Sequence, residues 1–362
     1  MQIKPDHPAV VAALAIAGLA LAAAGRTPLS VAAREPTRRH PRGRHGDAVP
    51  DDGQGRGAHS PSEIPARGWW SVLKRVPTRV SENRLLTEAA GITFYILLSI
   101  FPGLAAMVSL YGLVADPATI SDQLAMLGGI VPAGGMDIIT TQLRTLVSHG
   151  STGLGFGLFF GLVTSIWTAN RAMKALADAL NVANEETETR GFILRTAVTL
   201  AFTLGVILFA VLALVGVVAV PVMLNLLGLG GATEFLLTWL RWPLLLAAVG
   251  LLLALIYRYL PSREEASWCW VSWGSGAAAI AWVVMSLLFS WYVANFGNYD
   301  ETYGTLGAAV AFLTWIWLSA TVMLVGGQLN AELELQTAHD TTTGPERPMG
   351  ARGAAPADRV AA

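Results

Sequence analysis

The sequence is poor in the residues from which disulfide frameworks and soluble catalytic sites are built. Its 362 residues include one cysteine, Cys269, which excludes a disulfide within the chain and a thiolate metal cage. Only 14% of the residues are charged, whereas soluble domains carry about 25%. The net charge of -1 excludes a globally basic nucleic-acid binder. With 53% hydrophobic residues, this composition indicates a membrane protein.

Six long apolar stretches contain no Asp, Glu, Lys or Arg and are candidate membrane spans. A helix needs about 20 predominantly apolar residues to cross a bilayer. The second stretch is short, and we expect it to continue into a helical pattern that ends near Leu180. The sequence therefore predicts an all-α, polytopic transmembrane helical bundle with six core spans, at 89–115, 152–168, 197–226, 242–257, 266–293 and 303–331.

The regions outside the bundle differ from it in composition. Residues 1–25 hold a marginal apolar segment that fits an extra N-terminal span, a cleaved signal peptide, a stretch that is not inserted, or a mis-called start. Residues 26–66 are rich in Pro, Gly, Arg and Asp, which predicts a disordered basic linker. We expect residues 67–336 to form the membrane domain and residues 337–362 a disordered cytoplasmic tail.

Basic residues are distributed on one side of the predicted membrane. Of the 24 Lys and Arg residues, 21 lie in residues 26–88, in the loops after the second and fourth spans, and in the tail. Because cytoplasmic loops of membrane proteins are enriched in these residues, the linker and the C-terminus are predicted to be cytoplasmic. A cleaved signal peptide would leave the linker outside, so the extra span is favoured for residues 1–25.

The segment that follows the linker has an amphipathic pattern, although Pro77 should interrupt or kink a helix there. The pattern suits a helix that lies on an anionic inner leaflet, and it suits equally a helix packed against protein. Its apolar positions are Trp69, Val72, Leu73, Val76 and Val80, beside Lys74, Arg75 and Arg79.

Polar residues near the ends of the first and sixth spans are the candidates for a cavity or a substrate-facing surface. Glu88 is either a functional carboxylate or an interfacial residue that the helix dipole tolerates. Pro102 should kink the first span, which either opens a cavity or only bends the helix. Amides within a membrane usually bond between helices, so the residues of span six have that structural alternative. The full set is Glu88, Tyr95, Pro102, Asn298, Tyr299, Tyr303, Gln328, Asn330 and Glu332.

Small residues recur every fourth position in the second span, on a face that allows close approach of another helix. Glycines also flank the start of span six. We expect helix packing at Gly153, Gly157, Gly161, Gly304 and Gly307, with Ser165 continuing the first row.

Sequence motifs of soluble enzymes, such as G-x-S-x-G, H-E-x-x-H, Walker A and C-x-x-C, do not occur in the chain. We therefore predict no catalytic residue, no cofactor, no metal ligand and no nucleic-acid partner, and expect that the protein is not an enzyme. The expected partners are the lipid bilayer and a lipid or small polar substrate, and the sequence does not predict an oligomeric state.

Three blocks of the sequence resemble the YihY/virulence factor BrkB family of bacterial inner-membrane proteins, once labelled ribonuclease BN. The resemblance covers roughly residues 69–335. At Gln328 this chain departs from the family, whose members often carry Glu there. The blocks are EAAGITFYILLSIFPGL, RAMKALADALNVANEETETRGF, and the stretch from PSREEASW through NFGNYDETYGTLGAAVAFLTWIWLSATVMLVGGQLNAELE.

The resemblance implies a six-span helical protein of the bacterial inner (plasma) membrane, without a settled biochemical activity. We expect transport or lipid handling for the cell envelope, with a non-transporting envelope scaffold, recruiting partners through the linker, as the alternative. A ribonuclease is the least favoured alternative, because RNA hydrolysis needs metal-binding or acid–base groups that the spans lack.

Overall fold

The computed structural model describes residues 53–114, 150–227, 232–296 and 305–361, which form seven long α-helices. Within these ranges the extended pairing is a single isolated bridge between Ala266 and Thr342, which confirms the all-α prediction. The helices are α1 (Ala66–Glu82), α2 (Leu85–Val114), α3 (Gly150–Ala183), α4 (Phe192–Leu227), α5 (Ala232–Tyr259), α6 (Trp268–Phe296) and α7 (Thr305–Glu334).

Five of these helices contain a segment long and apolar enough to cross a membrane. Helix α3 is not among them within the residues that the structure describes, so six spans are not confirmed. The five segments are Leu85–Ala106, Phe192–Ala213, Trp242–Tyr259, Trp268–Asn295 and Gly307–Glu334.

Three reversals of the chain bring one set of helix ends together, and we call this region the network end. Residues 83–84 join α1 to α2, residues 184–191 join α3 to α4, and residues 260–267 join α5 to α6. Arg84 and Glu185 take the left-handed conformation there, with φ of 52° and 55°. This conformation commonly ends a helix and reverses the chain, although it is costly for a residue with a side chain.

Helix α1 packs against the network end through a small apolar cluster. Val72 and Val76 are buried against Trp270 of α6 and Leu333 of α7. The helix continues through Pro77, which was expected to interrupt or kink it. Burial of the valine face before the proline holds this segment against α6 and α7, so tertiary packing offsets the lost backbone hydrogen bond. The main core beside it contains Leu85, Leu180, Ile256, Leu260 and Leu324.

The C-terminal segment follows an ordered path across the network end, in contrast to the disorder expected for residues 337–362. The Arg352 guanidinium, which is almost fully buried, donates to four backbone carbonyls, those of Arg347, His339, Ala357 and Ala338. Near the end of the described chain, the Ala361 N–H donates to the Leu335 carbonyl at 2.8 Å. Hydrogen bonds from this buried guanidinium thus hold the C-terminal segment together.

Several predictions fall on residues outside the described ranges. They concern the apolar segment of residues 1–25, most of the linker, and the outer connection of span six with Asn298, Tyr299, Tyr303 and Gly304.

Candidate functional site

The last turns of α7 present a buried carboxylate to α1. Glu332 is fully buried and accepts a hydrogen bond from Arg75 Nε at 2.7 Å. Arg79, one turn further along α1, has its Nε 3.5 Å from the other carboxylate oxygen. The two arginines compensate a charge that would be costly to bury alone.

Amide side chains extend this arrangement along the same helix. Gln328 accepts a hydrogen bond from the Asn83 side chain at 2.9 Å and donates to Glu332 at 3.4 Å. Gln336 accepts from Arg75 at 2.8 Å. Gln328 therefore links α7 to the connection between α1 and α2.

A second buried pair lies beside the first. Arg263, in the connection between α5 and α6, donates to Glu334 at 2.5 and 3.0 Å. The same carboxylate accepts from the Thr341 hydroxyl at 2.7 Å, and Arg263 also donates to Asn184 at 2.8 Å. This pair ties the ends of α3 and α7, the connection between α5 and α6, and the C-terminal segment to one point.

Asn330 faces α6 and accounts for the lack of a side chain at Gly274. Its Oδ1 accepts the Gly274 N–H at 2.9 Å, and its amide nitrogen donates to the Val271 carbonyl at 3.3 Å. A Cβ at Gly274 would collide with the amide of Asn330. The residue therefore joins α6 to α7 and does not face the space described next.

An open recess of about 320 Å³ lies between α1, the end of α7 and the C-terminal segment. Glu185 stands in it between Arg79, at 3.4 Å, and Arg359, to which it also pairs. Gln328 lines an adjoining pocket of about 10 Å³, which is room for about one water molecule. The recess is lined by Arg75, Arg79, Glu185, Glu332, Leu335, Arg359, Val360 and Ala361.

The candidates of the first span lie away from this recess. Glu88 is half-buried in the first turn of α2, and its backbone N–H donates to the Arg84 carbonyl at 3.1 Å. Tyr95 and Pro102 are half-buried further along α2, which continues through the proline to Val114. The structure thus brings Gln328 and Glu332 into the network and does not bring Glu88, Tyr95 or Pro102 there.

The small-residue row of α3 meets α2 at Pro102. A Cβ at Gly161 would lie 2.9 Å from the Pro102 carbonyl oxygen and 3.0 Å from the Ala106 nitrogen. The Ser165 hydroxyl donates to the Ser99 carbonyl at 3.0 Å. Gly157 is half-buried one turn before, Gly153 lies nearer the start of α3, and Gly307 is buried near the start of α7.

The sequence did not predict the cations that pair with α7, which are Arg75, Arg79 and Arg263. It also did not predict that Glu185 pairs with Arg79 and Arg359. The arginines indicated the orientation, and Arg75 and Arg79 also belonged to the amphipathic pattern before the first span. One signal was available, because Arg75 and Arg79 are spaced i, i+4, as are Gln328 and Glu332. Matching spacings place both sets on single helix faces, but they do not say that the two faces meet.

Asp340 organises the start of the C-terminal segment outside the spans. Partial burial favours its protonated form, but hydrogen bonds from the hydroxyl and N–H of Thr342 and from the N–H of Arg347, with the charge of Arg352, outweigh this and lower its pKa. The carboxylate form is therefore part of the folded segment.

The apolar helices and the charged network at one end of them define a multi-pass α-helical membrane protein. The chain belongs to the family described as Virulence factor BrkB, which matches residues 76–350. The resemblance stated from the sequence is thereby confirmed.

Named relatives agree with this assignment. The chain is 28% identical over 271 residues to the ribonuclease-like protein YfkH of Bacillus subtilis (strain 168), covering 73% of this chain and 95% of that protein. It is 28% identical over 277 residues to a UPF0761 membrane protein of Chromohalobacter salexigens, covering 74% and 65%. It is 24% identical over 264 residues to the UPF0761 membrane protein MS0032 of Mannheimia succiniciproducens, covering 70% and 86%. No solved structure matches this chain significantly.

Proposed function

We propose that the protein handles acidic lipids of the cell envelope and that the recess at the network end receives their phosphate-bearing head group. The observation that carries this proposal is the meeting of three arginines, Arg75, Arg79 and Arg359, at one open space beside the ends of membrane spans. Guanidinium groups bind phosphate through paired hydrogen bonds, so arginine suits this ligand better than lysine.

The three arginines have different parts in the proposed binding. Arg75 is held by the buried Glu332 and keeps the recess in shape. Arg79 and Arg359 are more exposed, and each pairs with Glu185, whose side chain is itself about one-third exposed. An exposed ion pair is worth little free energy, so a head-group phosphate can replace the Glu185 carboxylate as the partner of both arginines.

The proposal includes an orientation in which the network end faces the cytoplasm. The one-sided distribution of Lys and Arg supports it. In that orientation the recess meets the inner leaflet, and the lipid enters from the cytoplasmic side of the bilayer.

If phosphate replaces the Glu185 carboxylate, two substitutions should change the lipid affinity in opposite directions. Purified full-length protein in detergent is titrated with a short-chain phosphatidylglycerol, and binding is followed by native mass spectrometry. Arg359→Gln should weaken binding about tenfold, as expected for loss of a charge-assisted hydrogen bond. Glu185→Gln should strengthen binding, because the neutral amide competes less for Arg79 and Arg359.

Glu346→Gln is the matched control, since this carboxylate is exposed on the C-terminal segment and pairs only weakly with His339. The Glu346→Gln variant should bind phosphatidylglycerol with the same affinity as the unchanged protein. Weaker binding in Glu185→Gln, or equal binding in all variants, would contradict the exchange. If the protein also fails to accelerate transbilayer movement of fluorescent phosphatidylglycerol in vesicles, the lipid-handling role is rejected in favour of the non-transporting scaffold.

A further inference from the structure

Helix α1 has two faces, and only one of them packs against the other residues that the structure describes. Val72 and Val76 are buried against α6 and α7, and Arg75 reaches Glu332. On the opposite face, Trp70 and Leu73 are 61% and 51% exposed. Adjacent exposed apolar side chains that are rimmed by polar residues are typical of a membrane or protein interaction site.

Basic residues accompany these apolar side chains. Lys74 Nζ lies 5.1 Å from the centre of the Trp70 ring, within the range of a cation–π contact. Arg67, one turn before Trp70, is also exposed. Among the residues that the structure describes, neither Lys74 nor Arg67 pairs with a carboxylate, whereas Arg75 and Arg79 both pair with Glu332.

The depth of this face follows from the helix on which α1 packs. The Trp69 ring lies 5.4 Å from that of Trp273, which is in the second turn of α6 and is 45% exposed. The membrane-spanning segment of α6 begins at Trp268. Helix α1 is therefore level with the boundary of the spans, where tryptophan rings and long basic side chains meet lipid head groups.

Two further pairs mark the same boundary on other helices. Lys174 Nζ lies 5.2 Å from the ring of Phe192, the first residue of the α4 span. The Arg258 guanidinium carbon lies 4.7 Å from the ring of Trp268. Those cations lie beside the ends of spans, whereas α1 presents its pair on a helix that is not among the five candidate spans of the described residues.

We propose that the outward face of α1, formed by Arg67, Trp70, Leu73 and Lys74, is a binding surface for acidic phospholipid of the bilayer. Trp70 and Leu73 enter the acyl boundary, and the two cations bind the head group. Charge complementarity selects acidic over zwitterionic lipid. This surface is separate from the recess, because Arg75 and Arg79 lie on another face of α1.

The test places a probe beside the cations. Thr78, exposed one turn after Lys74, is changed to Cys in a chain that also carries Cys269→Ser, and the thiol is labelled with bimane. The full-length protein is reconstituted into phosphatidylcholine vesicles that contain about one-fifth phosphatidylglycerol. Bromine atoms, which quench the probe, are placed either on phosphatidylglycerol or on an equal amount of phosphatidylcholine.

Brominated phosphatidylglycerol should quench the probe several-fold more strongly than the same amount of brominated phosphatidylcholine. Each cation near an acidic surface contributes about a fivefold preference, so Lys74→Gln should lower the quenching ratio by up to roughly that factor, and Arg67→Gln combined with it should bring the ratio close to one. Arg347→Gln, which removes one exposed cation from the C-terminal segment, is the matched control and should leave the ratio unchanged.

Two outcomes would overturn the proposal. Equal quenching by both brominated lipids, in protein that keeps Arg67 and Lys74, would mean that α1 contacts the bilayer without selecting acidic lipid. Absence of quenching by either lipid would mean that another protein surface covers this face. Both readouts are independent of the recess, since Glu185→Gln and Arg359→Gln should leave the quenching ratio as it is.

Discussion

Arg263 and Glu334 form an ion pair with a closest N–O distance of 2.5 Å, and their side chains are only 3% and 2% exposed. The pair joins the connection between α5 and α6 to the last residue of α7. Removal of one partner leaves the other as a buried, uncompensated charge, which costs about 3–5 kcal/mol.

Glu334→Ala is therefore expected to lower the thermal midpoint of the purified protein in detergent by on the order of 5–10 °C. Glu346→Ala, which removes an exposed carboxylate from the C-terminal segment, should leave the midpoint within about 1 °C, because exposed pairs contribute little. Equal midpoints for the two variants would contradict a structural role for the Arg263–Glu334 pair.

Close approach of α2 and α3 gives a second prediction. Gly161→Ala places a Cβ 2.9 Å from the Pro102 carbonyl oxygen, so the helices must separate, at an expected cost of about 1–3 kcal/mol. Gly155→Ala on the same helix meets open space and should be neutral or slightly stabilising. The two variants are compared by their thermal unfolding midpoints. Equal midpoints for Gly161→Ala and Gly155→Ala would contradict close packing of α3 against α2 at Gly161.

The single cysteine offers a test of the proposed orientation. Cys269 is exposed at the start of α6, at the network end. In intact spheroplasts, a membrane-impermeant maleimide should leave it unmodified and should label it once the membrane is permeabilised. Glu346→Cys in a chain with Cys269→Ser should behave in the same way, since residue 346 lies well outside the spans. Labelling of either cysteine in intact spheroplasts would mean that the network end faces away from the cytoplasm.

The C-terminal segment should loosen in acid. The pKa of Asp340 is lowered in the folded protein, so its contribution to stability is present above the unfolded pKa of about 3.9 and is lost as the pH falls through the folded value. A fluorophore attached after Glu346→Cys and Cys269→Ser should lose anisotropy below about pH 4. Adding Asp340→Asn should remove most of this loss of anisotropy in acid. An unchanged loss would mean that a group other than Asp340 causes it.

Parts of the architecture followed from local sequence, and parts did not. The helices and their approximate limits were predictable, because long apolar stretches must satisfy their backbone hydrogen bonds within the membrane. Gln328 and Glu332 could be assigned to one face of span six for the same local reason. The small-residue row of α3 likewise predicted close packing, and Gly161 lies against α2.

The partners in the network could not be predicted in this way. Arg75 and Glu332 are separated by 257 positions along the chain, and no local periodicity relates them. Arg352 lies in the segment that was expected to be a disordered tail. Its order depends on backbone carbonyls that converge only after the chain has folded. The recess is a product of such distant contacts, so the sequence alone does not reveal it.

The location of a bound lipid head group distinguishes a site in the recess from lipid bound only along the helices. A phosphatidylglycerol analogue with a photoreactive group on its head group is cross-linked to the reconstituted full-length protein, and the modified peptides are identified by mass spectrometry. We expect cross-links at the recess, around Glu185 and residues 359–361. They should disappear with Arg359→Gln and persist with Glu346→Gln. Cross-links confined to the lipid-facing surfaces of the helices, and unchanged by Arg359→Gln, would contradict it.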